Sequence, residues 1–196
     1  MSDRQTIEVY NAQSAKYALL EPSDTPSETL ATFIATLPKG GHVLDLGCGP
    51  GTSARHMARA GLNVTATDAS EQMIALAAKI DGVAARVAVF DDLVEVDTYD
   101  GVWANFSLLH APRADFPRHL LAIHKALKPG GLFHIAVKAG DGASRDTIGR
   151  HYTYYTEASL TDYLIKAGFS VGPYRRGRDK GLSGEDADWI STTAYA

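Results

Sequence analysis

The chain has 196 residues, of which 45% are hydrophobic and 21% charged, a composition typical of one compact globular domain. Nineteen Lys and Arg against 23 Asp and Glu give a net charge of −4, so the basic excess that drives binding to a nucleic-acid backbone is lacking. Cys48 is the single cysteine, which excludes an internal disulfide and a thiolate metal cluster.

The N-terminal sequence MSDRQTIEVYNAQ is polar and lacks the apolar core of a signal peptide. No apolar run approaches the ~18 residues that a membrane-spanning helix requires. We therefore expect a cytoplasmic protein that binds neither a membrane nor a nucleic acid.

In the first half of the chain, apolar periodicity predicts two helices, over residues 6–20 and 27–37, separated by the two prolines of EPSDTPSE. Strands and helices then alternate. The predicted elements are a strand over 42–46, a helix from Thr52 to Gly61, a strand over 62–68 and a helix over 71–80 that Ser70 caps.

The second half continues this alternation and ends in a hairpin. The predicted elements are a weaker strand over 85–90, a strand over 100–106, a helix from Asp115 to Leu127, a strand over 132–138, a polar loop over 139–151, a helix capped by Thr156 and closed by Gly168, and two final strands over 169–176 and 188–196. The pattern predicts an α/β fold, a Rossmann-like three-layer sandwich with helices on both faces of a mostly parallel sheet. We assign residues 1–196 to one domain, with 1–38 as a helical cap and 39–196 as the core.

Polar residues recur where the predicted strands end. Ligands of parallel sheets bind past the carboxyl ends of the strands, so these residues mark one candidate site. They are Asp68, Asp91, Asn105 and Lys138, together with the glycine turn that begins at Gly47.

The sequence VLDLGCGPG, residues 43–51, sets the chemistry of this site. Its glycines follow G-x-G-x-G spacing, whereas a dinucleotide-binding turn has G-x-G-x-x-G. Pro50 removes a backbone donor, and Asp45 would repel a pyrophosphate but attract a cation. The turn therefore predicts a nucleoside that carries positive charge and no phosphate, which describes S-adenosylmethionine. Asp68 follows Asp45 by 23 residues, a spacing that suits a carboxylate on the ribose hydroxyls.

Four segments together resemble the class I S-adenosylmethionine-dependent methyltransferases. They are VLDLGCGPG, TATDAS, ALKPGGLFHIAV and HYTYYTEASLTDYLIKAGF, within a similarity that spans about Gly41 to Phe169. The resemblance implies a seven-stranded sheet whose last pair is antiparallel, and S-adenosylmethionine as cofactor.

The resemblance also implies roles for residues by position. Gly47, Cys48 and Gly49 would line the methionine part of the cofactor with backbone groups, and Asp45 would lie beneath it. Gly51 is a further cofactor-binding candidate. Asp68 would hold the ribose, with Ala69 and Met73 beside it, and either Asp91 or Asp92 would meet the adenine amino group. Asn105 would lie beside the sulfonium, and Tyr10 and Tyr17 on the N-terminal helix would cover the cofactor.

The methyl acceptor is predicted to be a small molecule, because motifs for other acceptors are lacking. The chain has no Asn/Asp-Pro-Pro-aromatic motif for base amines, no second cysteine for pyrimidine carbon methylation, and no evident trio of carboxylates for a catalytic metal. We expect that the enzyme binds no metal and that the methylated atom is an oxygen or a nitrogen. We also expect a monomer or a homodimer.

Two regions are candidates for the acceptor side. His110 follows the fourth predicted strand and is the best-placed general base, with an ordinary packing histidine as the alternative. The segment KAGDGASRDTIGRHYTYYT sets cations beside aromatic residues, which suits an anionic or aromatic acceptor; its alternative is a solvated loop. The substrate-binding candidates there are Lys138, Arg145, Arg150, Tyr154 and Tyr155.

Two other functions compete with methyl transfer. The same fold could serve a non-catalytic module that binds S-adenosylmethionine or S-adenosylhomocysteine. A nicotinamide-dependent oxidoreductase is the other alternative, which Asp45, Pro50 and the glycine spacing disfavour.

Overall fold

The computed structural model describes residues 3–19, 24–181 and 184–196. Its helices are α1 (Arg4–Leu19), α2 (Glu28–Thr36), α3 (Thr52–Arg59), α4 (Glu71–Ala77), α5 (Phe116–Ala126) and α6 (Glu157–Lys166). Its strands are β1 (His42–Leu46), β2 (Asn63–Asp68), β3 (Val83–Val87), β4 (Tyr99–Asn105), β5 (Leu127–Lys138), β6 (Ala143–Arg145), β7 (His151–Thr153), β8 (Ser170–Lys180) and β9 (Asp186–Tyr195). The predicted end of the first helix at residue 20 and the beginning of EPSDTPSE lie outside the described residues.

Seven strands form one sheet in the order β3-β2-β1-β4-β5-β9-β8. The pairs among β1 to β5 are parallel, whereas β9 pairs antiparallel with both β5 and β8. This arrangement confirms the predicted fold class, including the antiparallel hairpin at the end. The order reverses at β1, so the carboxyl ends of β1 and β4 border the crevice where ligands of such sheets bind.

Side chains on the two faces of the sheet belong to two apolar clusters. Along β1, Val43 packs in one cluster with Phe33 and Met57, while Leu44 packs in the other with Phe116. Neighbouring residues of a strand point to opposite faces, so the helices cover both sides of the sheet. No helix among the described residues is long and apolar enough to cross a membrane.

Local signals set most element ends. Ser70 accepts a hydrogen bond from the N–H of Met73, and Thr156 accepts one from Ser159, as expected for helix caps. Asp115 precedes α5 as predicted, but its side chain makes no capping hydrogen bond.

The structure differs from the sequence prediction in two regions near the site. The predicted loop over 139–151 contains β6, which pairs with β7 in a small hairpin. The last hairpin is also longer than predicted, because β8 continues to Lys180 and β9 begins at Asp186. In both hairpins the strands are stabilised by pairing with each other, which the propensity of a single segment does not report.

Candidate active site

A cavity of about 630 Å³ lies at the carboxyl ends of β1, β2, β4 and β5. Its walls are the glycine turn after β1, helix α1, the segment after β4 and the far end of the β8–β9 hairpin. The lining side chains include Tyr10, Tyr17, Asp45, Asp68, Met73, Asn105, Phe106, His110, Lys138, Arg150, Tyr152 and Trp189.

The glycine turn presents bare backbone to this cavity. Gly47 and Cys48 donate their N–H groups to the carbonyl of Thr67, which fixes the turn against β2. Gly49 has φ +54°, and a Cβ at that position would meet no atom within 4 Å, so a ligand finds open space there. Gly51 corrects one expectation: it does not line the cavity, and its missing Cβ leaves room for Ile80 and Ala77 instead.

Asp45 is a buried acid beneath the turn. Its side chain is 2% exposed, and Oδ2 has no hydrogen-bond partner among the described residues. Burial, and then the charge of Asp68, raise the pKa of the Asp45 carboxyl to about 7, although the N–H of Ala54 donates to it. A buried acid with one unpartnered oxygen at the wall of a cavity fits a ligand that brings positive charge.

Asp68 lines the cavity at the end of β2, together with Ala69 and Met73. Its carboxylate accepts hydrogen bonds from the backbone N–H groups of Gly49 and Ser70, at 2.9 and 2.8 Å. Burial raises the pKa of Asp68 above its usual value. Asp68 therefore holds the glycine turn in shape as well as facing the cavity, a second role that the sequence did not indicate.

Asp91 and Asp92 correct the expectation for the adenine contact, because neither lines the cavity. They lie in a single helical turn after β3, where Asp91 pairs with Arg118 and Asp92 accepts from the N–H of Val89. The cavity wall there consists of residues 88–90 instead. Their position in the sequence predicted that the two acids lie near the site, but it could not predict the direction of their side chains.

Helix α1 covers the cavity with Tyr10 and Tyr17, whose ring centroids lie 5.9 Å apart. Asn11 on the same helix accepts a hydrogen bond of 2.6 Å from Ser70, at the start of α4. Both tyrosines therefore line the cavity, and their cover of a bound cofactor stays a prediction. Asn11 was not predicted, and only its place one residue after Tyr10 could have suggested it.

His110 lines the cavity but differs from the predicted general base. Its Nδ1 donates to the carbonyl of His151 at 2.6 Å, which leaves Nε2 to accept from the hydroxyl of Tyr10 at 2.7 Å. Burial lowers the pKa of His110 to about 4. An imidazole whose basic nitrogen is already hydrogen-bonded is arranged to orient Tyr10, so an ordinary imidazole pKa near 6.5 is not expected.

Arg150 extends this buried network. It donates to the Tyr10 hydroxyl at 3.1 Å and pairs with Asp146 at 2.7 Å, and both members of the pair are 3% exposed or less. The charge of Arg150 is therefore balanced inside the protein. The network ties α1 to the β6–β7 hairpin and forms one wall of the cavity.

Three other predicted substrate residues do not line the cavity. Arg145 pairs at the surface with Asp3, Tyr154 bonds to Ser144, and Tyr155 is buried against Phe116 in the core. Tyr152 lines the cavity in their place, because strand alternation in β7 turns it inward.

Lys138 and Asn105 line the cavity where the sequence placed them. Asn105 accepts a hydrogen bond of 3.1 Å from His134, which orients its amide. The Nζ of Lys138 lies 3.7 Å from the ring centroid of Tyr152. Phe106 and Trp189 line the same region and were not predicted, since Trp189 reaches it only through the length of the β8–β9 hairpin.

Among the described residues, no group of three or more His, Cys, Asp or Glu side chains could hold a metal ion.

Comparisons with known proteins identify the family of this chain. A family described as a methyltransferase domain matches residues 22–172, more than three quarters of the chain. The chain therefore belongs to the methyltransferase domain family, as its resemblance to the class I S-adenosylmethionine-dependent enzymes predicted.

A curated relative is the 2-methyl-6-phytyl-1,4-hydroquinone methyltransferase of Synechocystis, 38% identical over 109 residues, which are 52% of this chain and 33% of that protein. The chain spans between a third and about half of the length of the first curated relatives that it matches.

Solved structures share the fold across almost the whole chain. One is the Burkholderia thailandensis 1,6-didemethyltoxoflavin-N1-methyltransferase with bound 1,6-didemethyltoxoflavin and S-adenosylhomocysteine. It has a TM-score of 0.76 and 22% identity, covering 97% of this chain and 87% of that one. Another is the [4+2]-cyclase SpnF, with a TM-score of 0.72 and 19% identity, covering 97% of this chain and 95% of that one.

Proposed function

We propose that this chain binds S-adenosylmethionine in the cavity and transfers its methyl group to a small-molecule acceptor. The observation that carries this proposal is the unpartnered Oδ2 of Asp45 beneath a glycine turn with open space at Gly49. The turn offers backbone groups and room, and the acid offers charge to a cationic ligand that lacks phosphates.

The residues around the glycine turn and on α1 then have roles in binding the cofactor. The carboxylate of Asp45 would face the ammonium group of the cofactor, and Asp68 would accept from its ribose hydroxyls. Met73 would pack beside the nucleoside, while Tyr10 and Tyr17 would cover it and exclude water. When bound, S-adenosylmethionine supplies a methyl group on a positively charged sulfur. The main task of the protein is then to align the acceptor with that group.

The acceptor is proposed to be a small molecule methylated on oxygen or nitrogen. Support comes from the enclosed cavity and from relatives and neighbours whose names specify small acceptors, such as a hydroquinone and 1,6-didemethyltoxoflavin. In this proposal His110 orients Tyr10 at the acceptor side and does not remove a proton.

Titration calorimetry with S-adenosylhomocysteine and with NADH tests the cofactor assignment. We expect heat and saturation with S-adenosylhomocysteine and none with NADH. The reverse result would contradict the proposal and favour the oxidoreductase alternative.

A screen of small metabolites with labelled S-adenosylmethionine tests the transfer itself. A second candidate is a module of this fold that binds the cofactor without methyl transfer; the name of the similarly folded [4+2]-cyclase SpnF states a reaction other than methyl transfer. Tight binding of S-adenosylhomocysteine with no labelled product across the screen would favour that second candidate.

A further inference from the structure

Charged side chains of both signs line the cavity. Asp45 and Asp68 lie at the glycine turn, whereas Lys138, Arg150 and Asp179 line the remaining part, here called the acceptor half. Arg150 is neutralised by Asp146. Lys138 makes no hydrogen bond or ion pair with any residue that the structure describes. Its Nζ lies over the face of Tyr152, and the charges of Asp146 and Glu185 act on it only at longer range. An ammonium group on a cavity wall that no carboxylate contacts directly is a binding element for an anion.

The position of Lys138 is fixed by the sheet. Its Cα lies directly opposite that of Trp189 in the antiparallel pairing of β5 with β9. Residues opposite each other in such a pair share one face, with Cβ atoms about 4.5–5.5 Å apart. The cation and the indole are therefore neighbours on the same wall of the cavity.

Trp189 is held in one orientation. Its Nε1 donates to Asp179 at 2.7 Å, and a Cβ on Gly177 would lie 2.2 Å from the indole ring, so this glycine makes the room that the ring fills. Phe106 meets the indole edge to face, with centroids 6.2 Å apart. Phe106 also has φ +57°, a strained conformation for a non-glycine residue, and is 38% exposed. These features build a rigid aromatic wall beside a free ammonium group.

We infer that the acceptor half binds a planar aromatic ring that bears an acidic group, with the anion on Lys138 and the ring against Trp189 and Phe106. This inference rests on the proposed function for the meaning of the bound ring as methyl acceptor. A cationic acceptor would be repelled by Lys138. A phosphate is matched best by the forked guanidinium of an arginine, and that of Arg150 is already engaged by Asp146.

Matched probes test this inference by titration calorimetry. The probes are 4-hydroxybenzoate, its neutral analogue 4-hydroxybenzamide, and cyclohexanecarboxylate, an anion without an aromatic ring; 4-nitrophenol at pH 8.5 extends the series to a phenolate. Each is titrated with and without saturating S-adenosylhomocysteine. We expect 4-hydroxybenzoate to bind at least tenfold more tightly than either the amide or cyclohexanecarboxylate.

Variants assign the preference to residues. Lys138→Met should reduce the benzoate-to-benzamide ratio to about one, whereas Lys166→Met, an exposed lysine on α6, should leave it unchanged. Trp189→Leu should weaken both aromatic probes and leave cyclohexanecarboxylate unaffected. Circular dichroism spectra and S-adenosylhomocysteine affinities like those of the wild type would show that the variants are folded.

Three outcomes would overturn the inference: equal affinity for benzoate and benzamide, no binding of either, or a charge preference that survives in Lys138→Met. If the wild-type protein prefers benzoate to benzamide but does not bind S-adenosylhomocysteine, that result would count against the proposed function and not against this inference.

Discussion

Asp45 lowers the stability of the ligand-free protein. The proposed binding of a cationic cofactor gives a reason for burying this acid. A carboxyl group at 2% exposure with an unpartnered oxygen is costly to bury, and the folded protein responds by raising the pKa of Asp45 to about 7. The unfolded chain loses this proton near the ordinary pKa of 3.8. The free energy of unfolding without ligand therefore falls as pH rises between these two values, because only the folded state keeps the proton.

Asp45→Asn should separate stability from binding. The amide retains an oxygen for the N–H of Ala54 but carries no charge, so the ligand-free variant should be more stable than the wild type above pH 7. Its affinity for S-adenosylhomocysteine should fall by about 1.5–3 kcal/mol, since a charged hydrogen-bonding partner is lost. Urea unfolding and titration calorimetry at pH 8 measure the two effects.

Asp92→Asn is the matched control for this variant. Asp92 also follows a strand of the parallel sheet, but it caps a turn outside the cavity. Its affinity for S-adenosylhomocysteine should stay at the wild-type value. Wild-type affinity should also increase between pH 6 and 8 as Asp45 ionises, and this increase should vanish in Asp45→Asn. If Asp45→Asn binds S-adenosylhomocysteine as tightly as the wild type at pH 8, the ammonium group of the ligand does not contact Asp45.

His110 should stay neutral throughout the neutral pH range. Its pKa of about 4 lies below the ordinary 6.5, so the unfolded chain binds a proton in this window that the folded protein does not. His110 therefore lowers stability as pH falls from 6.5 toward 4. Nitrogen NMR of the imidazole should show a protonated Nδ1 and a bare Nε2 at pH 6. A titration midpoint near 6.5 would contradict this and restore the general-base role.

Among the elements, α1 and the β6–β7 hairpin depend on each other. The N–H of His151 donates to Thr6, and Arg150 donates to Tyr10, so polar bonds from the hairpin hold the helix over the cavity. The pair Arg150–Asp146 is the buried centre of this contact. Breaking it should loosen the cover of the cavity and lower global stability together.

Asp146→Asn should cost roughly 3–5 kcal/mol of unfolding free energy, the usual loss when one partner of a buried ion pair is removed. Asp162→Asn is its control, since Asp162 and Lys166 form an ion pair of the same i,i+4 spacing at 59% and 70% exposure. That change should cost less than ~1 kcal/mol. Urea unfolding measures both, and equal losses would show that burial of the Arg150 pair contributes nothing special.

Sequence could predict the elements that depend on local pattern and not those that depend on distant contacts. The apolar strand before the glycine turn and the acids at strand ends placed Asp45 and Asp68 at the cavity. The direction of a side chain within a short turn is set by packing, which is why Asp91 and Asp92 were misplaced. Trp189 was missed because a long antiparallel hairpin carries it back to Lys138.

At the scale of the whole molecule, one cavity gathers groups from both ends of the chain. Helix α1 contributes Tyr10 from the N-terminal part, and β9 contributes Trp189 from the C-terminal part. The parallel strands between them supply the fixed floor. A ligand in the cavity therefore links elements that the sequence separates by almost its full length.

Hydrogen exchange of the backbone amides should reveal this linkage. With S-adenosylhomocysteine at one hundred times its Kd, the ligand adds ~2.7 kcal/mol to any opening that releases it, which slows exchange by up to ~100-fold. We expect that protection in α1 and in the glycine turn, because both line the cavity and the proposed function has α1 cover the cofactor. Helix α6 packs against β8, away from the cavity, and serves as the internal control with unchanged exchange by local opening. If calorimetry shows binding while α1 exchanges at its ligand-free rate, α1 does not close the cavity over the cofactor.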